Sequence, residues 1–170
     1  NGNYRFDVEP ESHLDRGYRV VKTTDAQGEG DTSRERAVAV TAGRSRVLLS
    51  GDIEARSETR LLHEARDALA ADVLVVPHHG SRTSSTPAFV AAVDPAVAVF
   101  TPGYRNRFGH PRPEVVARYV SRGSAVVRTD RDGAITFDAG SSRIAGVERA
   151  RAVGARYWFD LPTGVGGPPD

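Results

Sequence analysis

Cysteine is absent from the 170 residues. Disulfides and thiolate metal sites are therefore excluded, and any metal must be held by imidazole and carboxylate. Lysine is nearly absent too: of 23 basic residues all but Lys22 are arginine, set against 22 acids. No excess of one charge selects a nucleic acid or a membrane surface. Arginine suits bidentate phosphate contacts, but a GC-rich genome gives the same bias, so arginine content alone assigns no partner. No apolar run approaches the length that crosses a bilayer. No signal-peptide pattern stands at the start, and no internal repeat stands out. The sequence reads as a soluble chain with one domain, since 170 residues support one sizeable core and not two.

Residues 1–36 are poorly determined by pattern. Tyr4 to Val8 alternates like a short strand, His13-Leu14-Asp15 is half of a metal motif with no second histidine beside it, Tyr18 to Thr23 reads as a strand, and Asp25 to Arg36 as a loop. From residue 37 the pattern is clear. Ala37–Thr41 and Arg46–Leu49 flank a short glycine-containing connection and predict a hairpin. Ser57 to Ala70 repeats Leu61, Leu62, Ala65 and Leu69 at helical spacing, which puts Glu58, Arg60, Glu64, Arg66 and Asp67 on the polar side with His63 a surface residue. Asp72–Val76 and Ala96–Phe100 are continuous apolar runs of buried-strand type. Between them Thr86 is a helix N-cap with Pro87 at the first helical position. Pro113 opens a further helix that Gly123 stops. Ser124–Arg128 and Ala134–Phe137, joined through Asp130-Arg131-Asp132-Gly133, predict a terminal hairpin. Residues 139–156 are expected to cover an edge, and 157–170 form a Gly- and Pro-rich tail. Strands alternating with helices predict an α/β domain, a sheet with helices on its outer face.

Three islands carry candidate chemistry: Leu48-Leu49-Ser50-Gly51-Asp52, Val75-Val76-Pro77-His78-His79-Gly80-Ser81 and Asn106-Arg107-Phe108-Gly109-His110-Pro111. Each follows an apolar run of strand length. If those strands are parallel neighbours, their C-terminal ends share one edge and the side chains converge. One carboxylate with two or three imidazoles suits zinc or manganese. A carboxylate that bridges two ions helps to activate water and clamp phosphoryl oxygens. Of the adjacent His78 and His79, one can be a ligand and the other a proton donor. Ser81, Arg82, Thr83, Ser84 and Ser85 offer hydroxyls and a guanidinium before a helix N-terminus. Tyr104, Arg105, Asn106 and Arg107 add a ring and cations suited to a single strand.

These islands, in order and spacing, resemble the C-terminal metallo-β-lactamase-like domain of the ComEC/Rec2 competence proteins, over roughly residues 37 to 138. The resemblance implies a four-layer αββα sandwich with its site at strand ends, hydrolysis of phosphodiesters in DNA, and removal of the strand that does not enter during transformation. It implies one or two zinc or manganese ions, and makes Asp52 a bridging ligand, His110 a late ligand, and His78 and His79 a ligand and an acid. We assign His79 as the ligand, because Gly80 lets the backbone approach, and His78, with Asp52, to catalysis. It also implies a parent bacterial inner-membrane channel, with this domain soluble on the extracytoplasmic side and single-stranded DNA as partner. The sequence departs from the pattern in two respects: nothing matches the His-x-His-x-Asp-His motif that opens the fold, and the asparagine often seen just before the strand equivalent to Ala37–Thr41 is missing. Residues 37–156 then correspond to its C-terminal half to two-thirds, expected to bind metal weakly or not at all and to be inactive alone. A non-catalytic single-stranded DNA-binding module and a structural remnant that dimerises are the alternatives.

Overall fold

The computed structural model describes residues 18–19, 37–42, 45–138 and 145–153. The expected strand over 4–8, the His13–Asp15 fragment, the loop over 25–36 and the tail over 157–170 lie outside the described residues. Of the strand expected over 18–23, only 18–19 is described.

A six-stranded sheet runs in sequence order: β1 (Tyr18–Arg19), β2 (Val38–Ala42), β3 (Ser45–Leu49), β4 (Val73–Val75), β5 (Val97–Phe100) and β6 (Ala125–Arg128). β2 pairs antiparallel with β1 and with β3, whereas β3 to β6 are parallel neighbours. Each parallel connection passes through a helix: α1 (Ala55–Glu64), α2 (Pro87–Val93) and α3 (Pro113–Val120). Three crossovers that advance in one direction with one hand place their helices on one face. Alternation along the strands divides the core accordingly. Leu48, Leu74, Ala98 and Phe100 meet Leu61, Phe89, Val90, Val93, Val115 and Tyr119 from the helices. Val73, Val97, Val99 and Val127 point the other way.

That second face is covered by a two-stranded antiparallel sheet, β7 (Ile135–Asp138) and β8 (Ala145–Arg149), which brings Ile135, Phe137 and Val147 against the valines. The expected hairpin between 124–128 and 134–137 is therefore corrected. β6 pairs with β5, and residues 129–132 form a helical turn, α4 (Thr129–Asp132). The Asp132 carboxylate accepts Arg128 N–H at 2.8 Å and Gly133 adopts φ +76°, so the chain leaves the sheet there and crosses to its other face. A short helix, α5 (Ala150–Val153), follows β8.

Two helix expectations also change. The helix expected over 57–70 stops at Glu64, because Ala65 takes φ −146°; a tight turn over Arg66–Ala68 follows. Glu58, expected on the polar side, is fully buried. At α2 the Thr86 hydroxyl accepts Phe89 N–H with Pro87 at the first position. No helix among the described residues is long and apolar enough to cross a membrane.

Candidate functional site

The C-terminal ends of β3, β4, β5 and β6 share one edge, and each delivers a loop to it. After β3, Ser50 Oγ donates to Val75 O at 2.6 Å, tying the strand end to β4. Gly51 turns with φ +57°. Ile53 is buried and pins the loop, leaving Asp52 exposed.

After β4 the backbone is strained. His78 and His79 both lie in the left-handed region, at φ 48° and 54°, followed by Gly80 at φ +83°. Non-glycine residues there cost of order 1–3 kcal/mol each and persist only where the surroundings enforce them. Here His78 N–H donates to Gly51 O at 3.0 Å, Ser81 N–H to His78 O at 2.9 Å, and Arg112 N–H to Gly80 O at 3.0 Å. Gly80 is required twice over: a Cβ would also lie 2.7 Å from Pro111 Cβ and 2.8 Å from the Phe100 ring. The turn aims the two imidazoles in different directions. His79 Nδ1 meets Thr101 Oγ1 at 3.0 Å, and its Nε2 lies 3.7 Å from Asp52 Oδ1. His78 Nδ1 lies 3.0 Å from Glu54 Oε1, which also accepts the Thr83 hydroxyl at 2.7 Å. A carboxylate only accepts, so His78 carries its proton on Nδ1 and turns Nε2 away from Glu54.

After β5, the Asn106 side chain closes the loop by donating to His110 O at 2.7 Å and accepting His110 N–H at 3.0 Å. The His110–Pro111 peptide is cis. His110 packs edge-on to His78, centroids 5.9 Å apart, and stacks on Phe108 at 6.1 Å. Burial, then His78, Arg112 and His79, hold the His110 imidazole below its ordinary value, so it is neutral near pH 7. Its Nδ1 is buried with no hydrogen-bond partner. After β6, Arg128 grips Asp130 through two bonds of 3.0 and 2.6 Å, and Thr129 Oγ1 donates to Pro102 O at 2.9 Å, locking the fourth loop to the third.

The structure thus brings Asp52 to His79, and His78 to His110. It uses the Ser81–Ser85 loop differently from an open anion site. Ser81, Ser84 and Ser85 are buried; Ser84 Oγ donates to Pro77 O at 2.9 Å and Ser85 Oγ accepts the Tyr119 hydroxyl at 2.8 Å. The N–H groups of Ser85 and Thr86 are taken by Glu58. Arg82 is exposed and ion-paired with Glu114 at 2.7 Å. Asn106 is spent on its own loop, while Tyr104, Arg105 and Arg107 stand at the surface. Sequence reasoning passed over Glu54, Thr101, Glu58 and Phe108. For Glu58 a signal existed: it stands three and four residues before Leu61 and Leu62, on their face. For Glu54, the acid two residues after Asp52 was visible but had no local reason to meet a histidine 24 residues on. As a metal centre the site is partial. The Asp52–His79 pair and the unpartnered His110 nitrogen suit a divalent ion, but no group of three His, Asp or Glu among the described residues is placed to hold one.

An α/β domain that gathers an acid and three imidazoles on one sheet edge is the class defined here. No family model matches the chain. It is 32% identical over 145 residues to competence protein ComA of Neisseria gonorrhoeae, covering 85% of this chain and 21% of that protein. It is 31% identical over 134 residues to recombination protein 2 of Haemophilus influenzae, covering 79% and 16%. With ComE operon protein 3 of Bacillus subtilis the identity is 34% over 90 residues, covering 53% and 12%. The chain belongs to the ComEC/Rec2 family. It spans 21% of the length of the Neisseria relative and less of the other two.

Proposed function

We propose that this chain acts in DNA uptake as the hydrolase domain of a longer competence protein, cleaving phosphodiesters of the strand that does not enter. In this reading the parent is an inner-membrane channel, and the domain lies on its extracytoplasmic side. The observation that carries the reading is the convergence of Asp52, His78, His79 and His110 on one edge, delivered by three consecutive parallel strands, with Asp52 and His79 3.7 Å apart. The second sheet across the Val73–Val127 face supports assigning the fold to the αββα metallo-β-lactamase type.

A zinc or manganese ion, when bound, supplies an activated water and a clamp on phosphoryl oxygens. Asp52, His79 and His110 are the residues that would hold it, although among the described residues no three such groups are placed together to do so. His110 is suited by its neutral ring and unpartnered Nδ1. His78, oriented through Nδ1 by Glu54 and Thr83, would hold a further proton on Nε2 for the leaving oxygen.

The test is cleavage of a fluorogenic single-stranded DNA by the longer protein, with manganese or zinc added. Cleavage is expected to vanish in Asp52→Ala. His79→Ala should lose metal, whereas His78→Ala should keep metal and lose turnover. No cleavage by the unaltered protein with either ion counts against the reading. A second reading, a non-catalytic single-stranded DNA-binding module, draws on the missing third ligand; it requires binding that survives Asp52→Ala and His110→Ala.

A further inference from the structure

We infer that Phe108 and Tyr104 form a base-stacking platform that admits an unpaired polynucleotide strand and excludes duplex. The inference rests on the nucleic-acid reading above and deepens it by naming what selects the strand.

Single exposed apolar side chains are ordinary and carry no message. The loop after β5 is different in three respects. It exposes two large rings at once, Tyr104 at 55% and Phe108 at 59%. Both rings are dressed with guanidinium groups: Arg107 lies 5.1 Å from the Phe108 centroid, and Arg105 and Arg151 lie 5.2 and 5.4 Å from that of Tyr104. Phe108 is also stacked on His110 with only 17° between the planes, so its orientation is coupled to an imidazole of the site.

The loop is built before any ligand arrives. Asn106 ties both backbone groups of His110, and Asn106 N–H donates to Gly103 O at 3.1 Å. Arg151 donates to Asp130 O at 2.8 Å, so the cation beside Tyr104 is held by the fourth loop rather than swinging in solvent. Rings ordered in advance cost little further entropy on binding. Planar rings interleaved with arginine match the two faces of a nucleic-acid strand: bases for stacking, phosphates for the cations. Base-paired duplex has its π-faces covered by neighbouring pairs, so this platform is open only to unstacked bases. Protein interfaces also use tyrosine and arginine. The stack of Phe108 on His110 favours the strand, because a base received there brings its own phosphodiester to the edge that holds His78 and His79.

The experiment is fluorescence anisotropy of the full chain with labelled oligo-dT and with a blunt duplex at fixed low salt, and quenching of a 2-aminopurine placed in the oligonucleotide. Phe108→Ala is expected to weaken oligo-dT binding by about tenfold, equivalent to about 1.4 kcal/mol, and to abolish the quenching. Phe108→Trp keeps the platform and should retain both. Duplex affinity should stay as it was. Arg107→Ala should reduce the slope of log K against log salt by about 0.7 on single strands. Equal affinity of Phe108→Ala and the unaltered chain for oligo-dT overturns the inference, as does an equal loss on duplex or no binding of oligo-dT by the unaltered chain. Absent cleavage with stacking intact removes the hydrolase reading alone. Cleavage with oligo-dT affinity unmoved by Phe108→Ala removes this inference alone.

Discussion

Replacing Glu58 with alanine tests whether one buried carboxylate holds the loop beneath the two histidines. Glu58 is fully buried on α1. One of its oxygens accepts Ser85 N–H, and the other accepts Thr86 N–H at 2.7 Å. From the opposite side Arg118 Nη1 donates to Ser84 O at 3.2 Å and Ser85 O at 2.7 Å, and the Tyr119 hydroxyl donates to Ser85 Oγ. Ser85 sits at φ +58°, a conformation that this network enforces. Alanine leaves two N–H groups without a protein acceptor, at about 1–3 kcal/mol each. Members of one network do not add fully, so the expected loss is about 3 kcal/mol. For a chain of this size that lowers the melting temperature by about 6–12 °C. Urea unfolding at neutral pH measures the loss directly, and a loss below about 1 kcal/mol would show that water replaces the carboxylate and refute the argument.

The same residue sets a pH dependence. Burial pushes the Glu58 carboxyl above its ordinary value, against the opposing pull of the Thr86 and Ser85 hydrogen bonds and of Arg118. Between the ordinary and the raised value, the folded chain keeps a proton that the unfolded chain has released. Stability therefore falls as pH rises through that window. Glu58→Gln cannot ionise and should lack this slope; identical pH profiles for the two proteins would remove Glu58 as its source.

Gly80→Ala should cost about 2 kcal/mol or more, because the new Cβ meets Pro111 at 2.7 Å and the Phe100 ring at 2.8 Å at a positive φ; an unchanged denaturation midpoint would contradict the packing. Asn106→Ala removes both bonds that close the loop to His110, for a loss of about 1–3 kcal/mol. The His110 ring resonances should shift with it, and a spectrum identical to that of the unaltered chain would sink the clamp. Calorimetric titration of the chain with zinc or manganese should show weak binding or none, since the described residues place no third ligand beside Asp52 and His79; tight binding of two ions would overturn this.

Much of the α/β alternation between residues 47 and 128 was legible locally. Apolar runs such as Val73–Val75 and Val97–Phe100 specify buried strands by themselves, and Thr86-Pro87 specifies a helix start through one hydroxyl and one fixed φ. Both signals depend on neighbours within a few residues. The stretch 124–137 departs from the local expectation because Asp130-Arg131-Asp132-Gly133 suits a hairpin turn as a peptide. What decides its fate is pairing of Val126 with Ala98 and packing of Phe137 on the valines, contacts made across the sheet.

The candidate site divides in the same way. Asp52, His78, His79 and His110 were visible as residue types behind strands, since chemistry-bearing side chains after apolar runs are a local pattern. Their distances were not visible, nor were the meeting of Glu54 with His78, the stacking of Phe108 on His110, or the sinking of Glu58 under Ser85. Each of those needs parallel strands in register and helices on one face before the partners meet. Sequence alone therefore determined most of the strands and helices between residues 47 and 123 and which candidate residues follow the strands, because those depend on short-range sterics and hydrophobic period. Only the tertiary structure decided which of those residues touch, because strand order and layer packing join groups that lie far apart along the chain.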